Sequence, residues 1–444
     1  MREKTINPSL KTFLIVWLGQ SVSLVGSGLT SFALGVWVFE RNGSITQFAL
    51  IGLFVVLPRV LLSPFAGVIV DRWDRRRAMI LSDAGAGLCT LTVLVLINFR
   101  QIEVWHIFLL TAASSAFGAL QWPAYTSTIT LMVPQEHLGR ANGIVQLGSA
   151  LSEILAPALA GLLMPVIGLQ GIVLIDFATF SFAVLTLLRV RFPQQELPPE
   201  KESIKLNLRK ELTFGRRYVA ARPGLRNLLA FSAVVKFLWG MVGALITPMV
   251  LGFTTTPGLG GIISVAGFGM LAGSLVMSIW GGPHRRINGV LFFEMISGLC
   301  FLLIGLRPSF WLVAFGALGA HMTIAIVYGS NLAIWQSKVE TSAQGRVFAF
   351  QQMVASAAAP LAYLLAGPLA EKVFEPLLVE GGALTGSVGQ IFGVGVGRGI
   401  ALLFFFMGLV KITVALLGYL NPHVRNVEDE LTDSAADLPD AVTA

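Results

Sequence analysis

Long apolar runs separated by short polar or Pro/Gly segments recur along the whole chain. Two of them, 12–39 and 104–135, contain no Asp, Glu, Lys or Arg. A helix of about 20 apolar residues spans a bilayer, and the first run is too long for the apolar core of a secretory signal. The pattern therefore predicts twelve membrane helices, called segments 1 to 12, at 12–39, 46–70, 78–98, 104–132, 141–166, 169–190, 226–251, 257–281, 287–306, 309–336, 346–370 and 398–420.

Composition agrees with this pattern and excludes several function classes. Hydrophobic residues make up 55% of the chain and charged residues only 12%, which is too little polar surface for a soluble globule of this length. The chain lacks the phosphate-binding glycine loop of an ATP-driven pump. It also lacks a His/Asp/Glu or Cys/His cluster at catalytic or metal-ligand spacing, and its two cysteines fall in different halves. We expect neither an enzyme nor a cofactor, metal or disulfide site.

Positive charge orients the predicted helices. Lys and Arg concentrate in alternate connections, and ten of them lie in 189–226. Cytoplasmic loops of membrane proteins carry such an excess, so both termini are expected in the cytoplasm of a multi-pass protein of a bacterial plasma membrane. The net charge of +7 follows from this asymmetry and faces anionic lipid. No nucleic-acid partner is expected.

An internal repeat divides the chain into two halves. Gly139-Arg140 and Gly345-Arg346 open segments 5 and 11 at a spacing of 206 positions, and 155–161 matches 361–367 at five of seven positions in the same register. This pattern predicts an all-α membrane protein of two six-helix bundles. The expected parts are a first bundle at 1–192, a linker with an amphipathic helix at 193–225, a second bundle at 226–420 and an acidic cytoplasmic tail at 421–444.

The loop between segments 2 and 3, Gly67-Val-Ile-Val-Asp-Arg-Trp-Asp-Arg-Arg-Arg77, resembles the signature loop of the major facilitator superfamily. The sequences 17–27, 133–143 and 345–348 look like the macrolide-efflux branch of its proton-driven drug exporters, and enterobactin exporters share part of this pattern. The resemblance implies export from the cytoplasm in exchange for protons. It also implies a conformational latch at the cytoplasmic helix ends, in which Asp71 meets the start of segment 11; its residues are Gly67, Asp71, Arg72, Arg75, Arg76, Gly345 and Arg346.

The chain departs from the family pattern in three places. Segment 5 has only Ala156-Pro157 and Ala160-Gly161 where the antiporter pattern has Gly-Pro and Gly-Gly. Segment 4 has Ser114 and Ser115 where many proton antiporters carry an arginine, so the usual proton relay is altered. The second basic loop, 281–286, lacks the aspartate of the first.

Segments 1, 4, 7 and 10 line the substrate cavity in the superfamily, and their larger polar residues are the cavity candidates here. Together with a basic residue of segment 2 the set is Gln20, Ser27, Arg59, Gln121, Tyr125, Lys236, Trp239, Tyr328 and Asn331. Small polar residues also permit close helix packing, and for the serines that alternative stays open. Such a cavity fits a bulky amphipathic small molecule. We expect the carrier to be a monomer. A siderophore or lipid exporter, and a receptor that transports nothing, remain alternatives.

Ionisable residues inside membrane helices are costly and therefore functional candidates. Proton coupling needs a group that gains and loses a proton during transport, and depth in the helix favours Glu153. Asp176 and His321 are the other candidates. The alternative for Glu153 is a fixed ion pair with Arg59 or Lys236. Asp83, Glu294 and Lys411 lie nearer to predicted helix ends, so we expect them to be interfacial or to pair with loop cations.

Overall fold

The computed structural model describes residues 10–133, 138–190, 208–340 and 343–430, without the side chains of 64, 67–72, 130–131, 138–139, 142 and 208–212. Within these ranges every regular element is a helix. The long helices are α1 (Leu10–Asn42), α2 (Ile45–Arg72), α3 (Arg75–Asn98), α4 (Val104–Met132), α5 (Leu138–Arg189), α6 (Leu208–Ala220), α7 (Pro223–Leu251), α8 (Thr256–Trp280), α9 (Arg286–Leu306), α10 (Phe310–Lys338) and α11 (Gln344–Leu369). A π-helical turn (Ala370–Phe374) and short helices α12 (Glu375–Leu378) and α13 (Gly389–Phe392) lead to α14 (Arg398–Leu420), α15 (Pro422–Arg425) and α16 (Val427–Glu430).

Eleven helices in the described ranges are long and apolar enough to cross a membrane. The count differs from twelve because α5 contains both segment 5 and segment 6. These two segments meet at Gly168, whose φ of 65° and ψ of −179° interrupt the helical geometry. A glycine adopts this conformation without a Cβ clash, so one residue makes the turn between two spans. Twelve membrane-crossing segments result, as the hydrophobic pattern predicts.

The chain divides into two compact units, unit 1 (Met1–Glu202 with Thr254–Ser264) and unit 2 (Ser203–Phe253 with Val265–Ala444). In unit 1, α1 packs along α5, while α3 packs against both α4 and α5. Gly26 permits the close approach of α1 to the second arm of α5 (169–189), since a Cβ at this position would lie 2.0 Å from Thr179 Oγ1. This contact determines which side chains of the two helices can meet.

The helices of unit 2 pair as their counterparts in unit 1 do. α7 packs along α11, and α9 packs against both α10 and α14, as α3 packs against α4 and the second arm of α5. The amphipathic helix α6 packs against α11, where Arg346 stacks on Phe214 with its Cζ 3.7 Å from the ring centroid. Near the carboxyl end of the described chain, Val424 and Val427 join the hydrophobic core around Leu225, Ile287 and Trp335.

Candidate functional site

A cavity of about 520 Å³ lies inside unit 1, between α1, α2, α3, α4 and the second arm of α5. Its wall combines apolar side chains with hydroxyls, amides and ionisable groups. The polar members are Gln20, Ser23, Ser27, Thr30, Ser31, Arg59, Ser63, Ser82, Asp83, Thr90, Thr111, Ser114, Ser115, Gln121 and Asp176. Four of the predicted cavity residues, Gln20, Ser27, Arg59 and Gln121, lie on this wall.

A chain of amides leads to a carboxyl group on the cavity wall. Gln121 Nε2 of α4 donates to Gln20 Oε1 of α1 at 2.6 Å, and Gln20 Nε2 donates to Asp83 Oδ2 of α3 at 2.8 Å. Asp83 is only 5% exposed. The expectation that Asp83 is interfacial or bound to a loop cation is therefore wrong, because its partner is a neutral amide inside the bundle.

Asp176 is the second carboxyl group of the cavity. Its side chain is 2% exposed, and Thr90 Oγ1 of α3 donates to its Oδ2 at 3.3 Å. Ser27 and Thr30 of α1 present their hydroxyls to the same carboxyl group. Among the described residues, no lysine, arginine or histidine forms an ion pair with Asp83 or Asp176.

The other predicted residues of unit 1 either make no ion pair with these carboxyl groups or lie outside the cavity wall. Arg59 is on the cavity wall and makes no ion pair within the described part of the chain. Glu153 is exposed on the first arm of α5, outside the cavity, and forms no ion pair with Arg59. Tyr125 is 6% exposed and packs in a hydrophobic cluster with Met79 and Ile129 instead of lining this cavity.

The predicted residues of unit 2 lie on α7 and α10. Asn331 Nδ2 of α10 faces Ser232 Oγ of α7 at 3.5 Å, and Lys236 is half-buried on α7. Trp239 packs edge-to-face against His321, with ring centroids 5.2 Å apart, while Nδ1 of His321 lies 2.9 Å from the Ala317 carbonyl oxygen. Tyr328 is 63% exposed.

A buried ion pair joins Glu294 of α9 to Lys411 of α14, with Nζ and Oε2 separated by 2.9 Å. The side chains are 3% and 1% exposed, and Lys411 Nζ also donates to Ser297 Oγ and lies 4.7 Å from the ring centroids of Trp239 and Phe301. The expectation that Glu294 and Lys411 are interfacial or paired with loop cations is wrong, because they neutralise each other inside unit 2.

The repeat relates this ion pair to the cavity carboxyl group of unit 1. Asp83 follows Arg75 by eight residues, Glu294 follows Arg286 by eight, and Arg75 and Arg286 begin equivalent helices. One carboxyl group of the repeat thus faces an amide and a cavity, while its counterpart is neutralised by Lys411. This shared spacing is the sequence signal that could have identified both as buried functional candidates.

Arginines at the start of α3 bind the carboxyl ends of neighbouring helices. Arg75 Nη1 donates to the Ser127 carbonyl oxygen of α4 at 2.6 Å, and Arg76 donates to the carbonyl oxygens of Leu187 and Leu188 of α5 at 2.8 and 2.7 Å. The Leu187 and Leu188 carbonyls lie in the last turn of α5 and lack partners within that helix, so Arg76 satisfies them and complements the helix dipole. The repeat reproduces one contact, since Arg286 Nη1 donates to the Ala333 carbonyl oxygen of α10 at 3.1 Å.

The remaining latch residues are described only in part. The side chains of Asp71 and Arg72 and the surroundings of Gly67 lie outside the described part of the chain, so the contact of Asp71 with the start of segment 11 stays a prediction. Gly345 and Arg346 lie in the first turn of α11.

A bundle of membrane helices built from two repeats, with a polar cavity and arginine-bound helix ends, defines a multi-pass membrane transporter. The chain belongs to the Major Facilitator Superfamily, whose family pattern it matches over residues 16–363.

Relatives of known name cover most of the chain. Macrolide efflux protein A of Streptococcus pyogenes is 29% identical over 379 residues, which are 84% of this chain and 92% of that protein. Multidrug efflux pump Tap of Mycolicibacterium fortuitum is 24% identical over 369 residues, covering 81% and 89% respectively.

Solved structures confirm the fold. A bacterial homolog of the human lysosomal transporter Spinster, in an inward-facing and unoccupied conformation, superposes with a TM-score of 0.69 at 14% identity and covers 95% of this chain and 98% of its own. A mutant of the nucleoside transporter NupG gives a TM-score of 0.70 at 12% identity, covering 91% and 99%.

Proposed function

We propose that the protein is a secondary active transporter that exports a bulky amphipathic small molecule, of the drug, macrolide-like or secondary-metabolite kind, in exchange for protons. The names of the relatives support efflux of drugs. The observation that carries proton exchange is Asp83, a carboxyl group in the cavity of unit 1 whose partner is the amide of Gln20.

Energetics favour Asp83 as the group that carries the proton. A carboxylate buried in a membrane bundle is costly unless a cation or a proton neutralises it. Glu294, at the equivalent position of the repeat, has a permanent cation in Lys411 and so has no need to exchange protons. Asp83 has none among the described residues, which leaves its charge free to change with the occupancy of the cavity.

The lining of the cavity also fits an amphipathic cargo. Its wall includes apolar side chains such as Leu24, Leu34, Val55, Trp122 and Phe180 beside the polar set. Ligand sites of this kind combine a largely apolar lining with a few fixed polar groups that orient the ligand. We propose a carrier that acts as a monomer, catalyses no covalent reaction and keeps both termini in the cytoplasm.

Transport in proteoliposomes tests the proposal. A labelled macrolide should show counterflow without a pH gradient and uphill movement with one. Asp83→Asn should abolish uphill movement and keep counterflow, because the amide preserves shape but cannot exchange a proton. Glu153→Gln and His321→Gln are the comparison variants, and a loss of uphill movement in one of them, with normal transport in Asp83→Asn, would move the proton site to that residue.

Two further outcomes concern the cargo and the topology. Counterflow of a siderophore or a lipid instead of the macrolide would change the cargo, and absence of any counterflow would favour a receptor.

A reporter fused after residue 444 should be cytoplasmic, and one inserted near Gly381 should be external. Both reporters on one side of the membrane would contradict the twelve-segment topology.

A further inference from the structure

The carboxyl group of Asp83 ends a directed chain of two amides on the wall of the unit 1 cavity. Gln121 Nε2 donates to Gln20 Oε1 at 2.6 Å, and Gln20 Nε2 donates to Asp83 Oδ2 at 2.8 Å. The amide of Gln121 also donates toward Asp83. Both glutamines therefore turn their N–H groups toward the carboxyl group.

This direction leaves one atom of the chain without a partner. Gln121 Oε1 is enclosed and makes no hydrogen bond to any described residue, although buried polar atoms normally have partners. An ionised carboxyl group only accepts hydrogen bonds, whereas an amide both donates and accepts. The observed orientation is therefore the one that a charged Asp83 imposes, because each amide must present its N–H groups inward and the last acceptor is left over.

We propose that Gln20 and Gln121 form an amide relay that reverses its hydrogen-bond direction when Asp83 binds a proton. The proton comes from water in the cavity and binds Asp83 Oδ2, so the carboxyl group becomes neutral and its new O–H donates to Gln20 Oε1. After both amides have turned, Gln20 Nε2 donates to Gln121 Oε1. The free end of the relay thus changes from an acceptor, Oε1 of Gln121, to a donor, its Nε2.

The relay assigns a chemical feature to the cargo, and here it rests on the proposed function. Gln121 lines the cavity and its side chain is only partly buried, so a cargo in the cavity can reach its amide. A hydroxyl or ammonium group of the cargo donates to Gln121 Oε1 while Asp83 is charged. Proton binding puts an N–H group in its place, which such a donor cannot use. The proton and the cargo therefore exclude each other, with Gln20 as the positioning residue between them.

The other titratable groups around the cavity do not take over the role of the amides. They are Arg59 on α2, Cys89 on α3 itself and Asp176 on the second arm of α5, while α4 adds Tyr125 one turn beyond the relay. Asp176 accepts from a threonine, and the Tyr125 hydroxyl makes no hydrogen bond to a described residue. None of the four forms an ion pair with Asp83 in the described part of the chain.

Infrared difference spectra test the reversal without any cargo. The full-length protein, labelled with ¹³C at the side-chain carbonyl of glutamine and reconstituted in lipid, is compared at neutral and acidic pH. Acidification should produce the C=O band of a protonated carboxyl group. It should also shift a glutamine C=O band to lower wavenumber, because Gln121 Oε1 gains a hydrogen bond. Asp83→Asn should lose both changes, and Gln121→Leu should keep the carboxyl band but lose this glutamine shift.

Two infrared results would overturn the relay in distinguishable ways. A carboxyl band that depends on Asp83, without a glutamine shift that depends on it, would remove the relay and leave proton exchange at Asp83 intact. Absence of any carboxyl band that depends on Asp83 would overturn both the relay and Asp83 as the proton site.

The affinity for a labelled macrolide measures the coupling of the relay to the cargo. In the wild type the dissociation constant should rise as the pH falls, approaching about tenfold per pH unit once Asp83 is mostly protonated. Gln20→Leu should make it nearly independent of pH, because nothing then passes the state of Asp83 to Gln121. Ser23→Ala, one turn away on the same wall, is the matched control and should keep the pH dependence.

The binding data can also contradict the relay. Full pH dependence in Gln20→Leu would overturn it and show that Asp83 acts on the cargo directly, and a dissociation constant independent of pH in the wild type would overturn it as well. If no variant binds the macrolide, the proposed cargo is wrong, and the infrared spectra still decide whether the relay exists.

Discussion

Glu428 Oε2 accepts a hydrogen bond from the backbone N–H of Ile287 at 2.9 Å, although the two residues are far apart in sequence. Ile287 lies in the first turn of α9, whose N-cap residue Arg285 makes no side-chain cap hydrogen bond. At the equivalent start of α3, Asp74 supplies the cap from within its own loop by accepting from Arg77 N at 2.8 Å. The carboxyl-terminal segment thus provides the carboxylate that the second basic loop lacks.

Glu428→Ala should destabilise unit 2. The variant removes the acceptor of the Ile287 N–H, and loss of a helix cap typically costs about 1 kcal/mol. Glu428→Gln is the matched control, because its amide oxygen can still accept this hydrogen bond. We expect a lower thermal unfolding temperature of the detergent-solubilised protein for Glu428→Ala than for Glu428→Gln. Identical, wild-type-like unfolding of both variants would mean that the contact contributes nothing to stability.

Lys411→Met should be among the most damaging single substitutions in unit 2. It leaves Glu294 as an unpaired charge in a buried site, and breaking a buried ion pair typically costs about 3–5 kcal/mol. The double variant Glu294→Gln, Lys411→Met should recover much of this loss, since it buries no net charge. Yield and thermal stability in detergent measure both effects. A double variant no more stable than Lys411→Met alone would show that Lys411 acts mainly through Ser297, Trp239 and Phe301.

Hydrophobic periodicity predicted the fold well because each membrane segment is a local property of the sequence. The two halves also pack alike, since α3 contacts α4 and α5 as α9 contacts α10 and α14. Position along the helix gave the wrong expectation for Asp83, Glu294 and Lys411. Such a position does not show which face of the helix a residue occupies or which helix supplies its partner. Gln20 and Lys411 come from helices distant in sequence, and no local pattern could pair them with their carboxyl groups.

Arg76→Ala should loosen the carboxyl end of α5. Arg76 donates to two carbonyl oxygens, those of Leu187 and Leu188, which lack partners within the helix. Arg77→Ala is the matched control, because the Arg77 side chain is exposed and only its backbone N–H contributes to the Asp74 cap. In a background with both native cysteines replaced by serine, a cysteine at position 188 should be labelled faster with Arg76→Ala than with Arg77→Ala. Equal labelling rates would show that Arg76 does not hold this helix end.

The two aspartates of the first basic loop should respond differently to substitution. Asp74 caps α3, and Asn caps helices as well as Asp does, so Asp74→Asn should be mild. Asp74→Ala should cost about 1 kcal/mol of stability. Thermal unfolding in detergent measures this difference, and equal stability of the Asn and Ala variants would contradict the cap.

Asp71 carries a different expectation, which follows from the family resemblance. A carboxylate at a helix amino terminus gains about 0.3–1 kcal/mol from the dipole, enough to bias two packed states of similar free energy. Asp71→Asn should therefore favour the inward-open form and slow transport without preventing membrane insertion. Spin-label distances between the loop joining α2 to α3 and the start of α11 measure the shift. Since Asp74→Asn leaves the cap intact, it serves as the control, and a distance distribution in Asp71→Asn identical to that of this control would mean that Asp71 is only a solvated or topogenic charge.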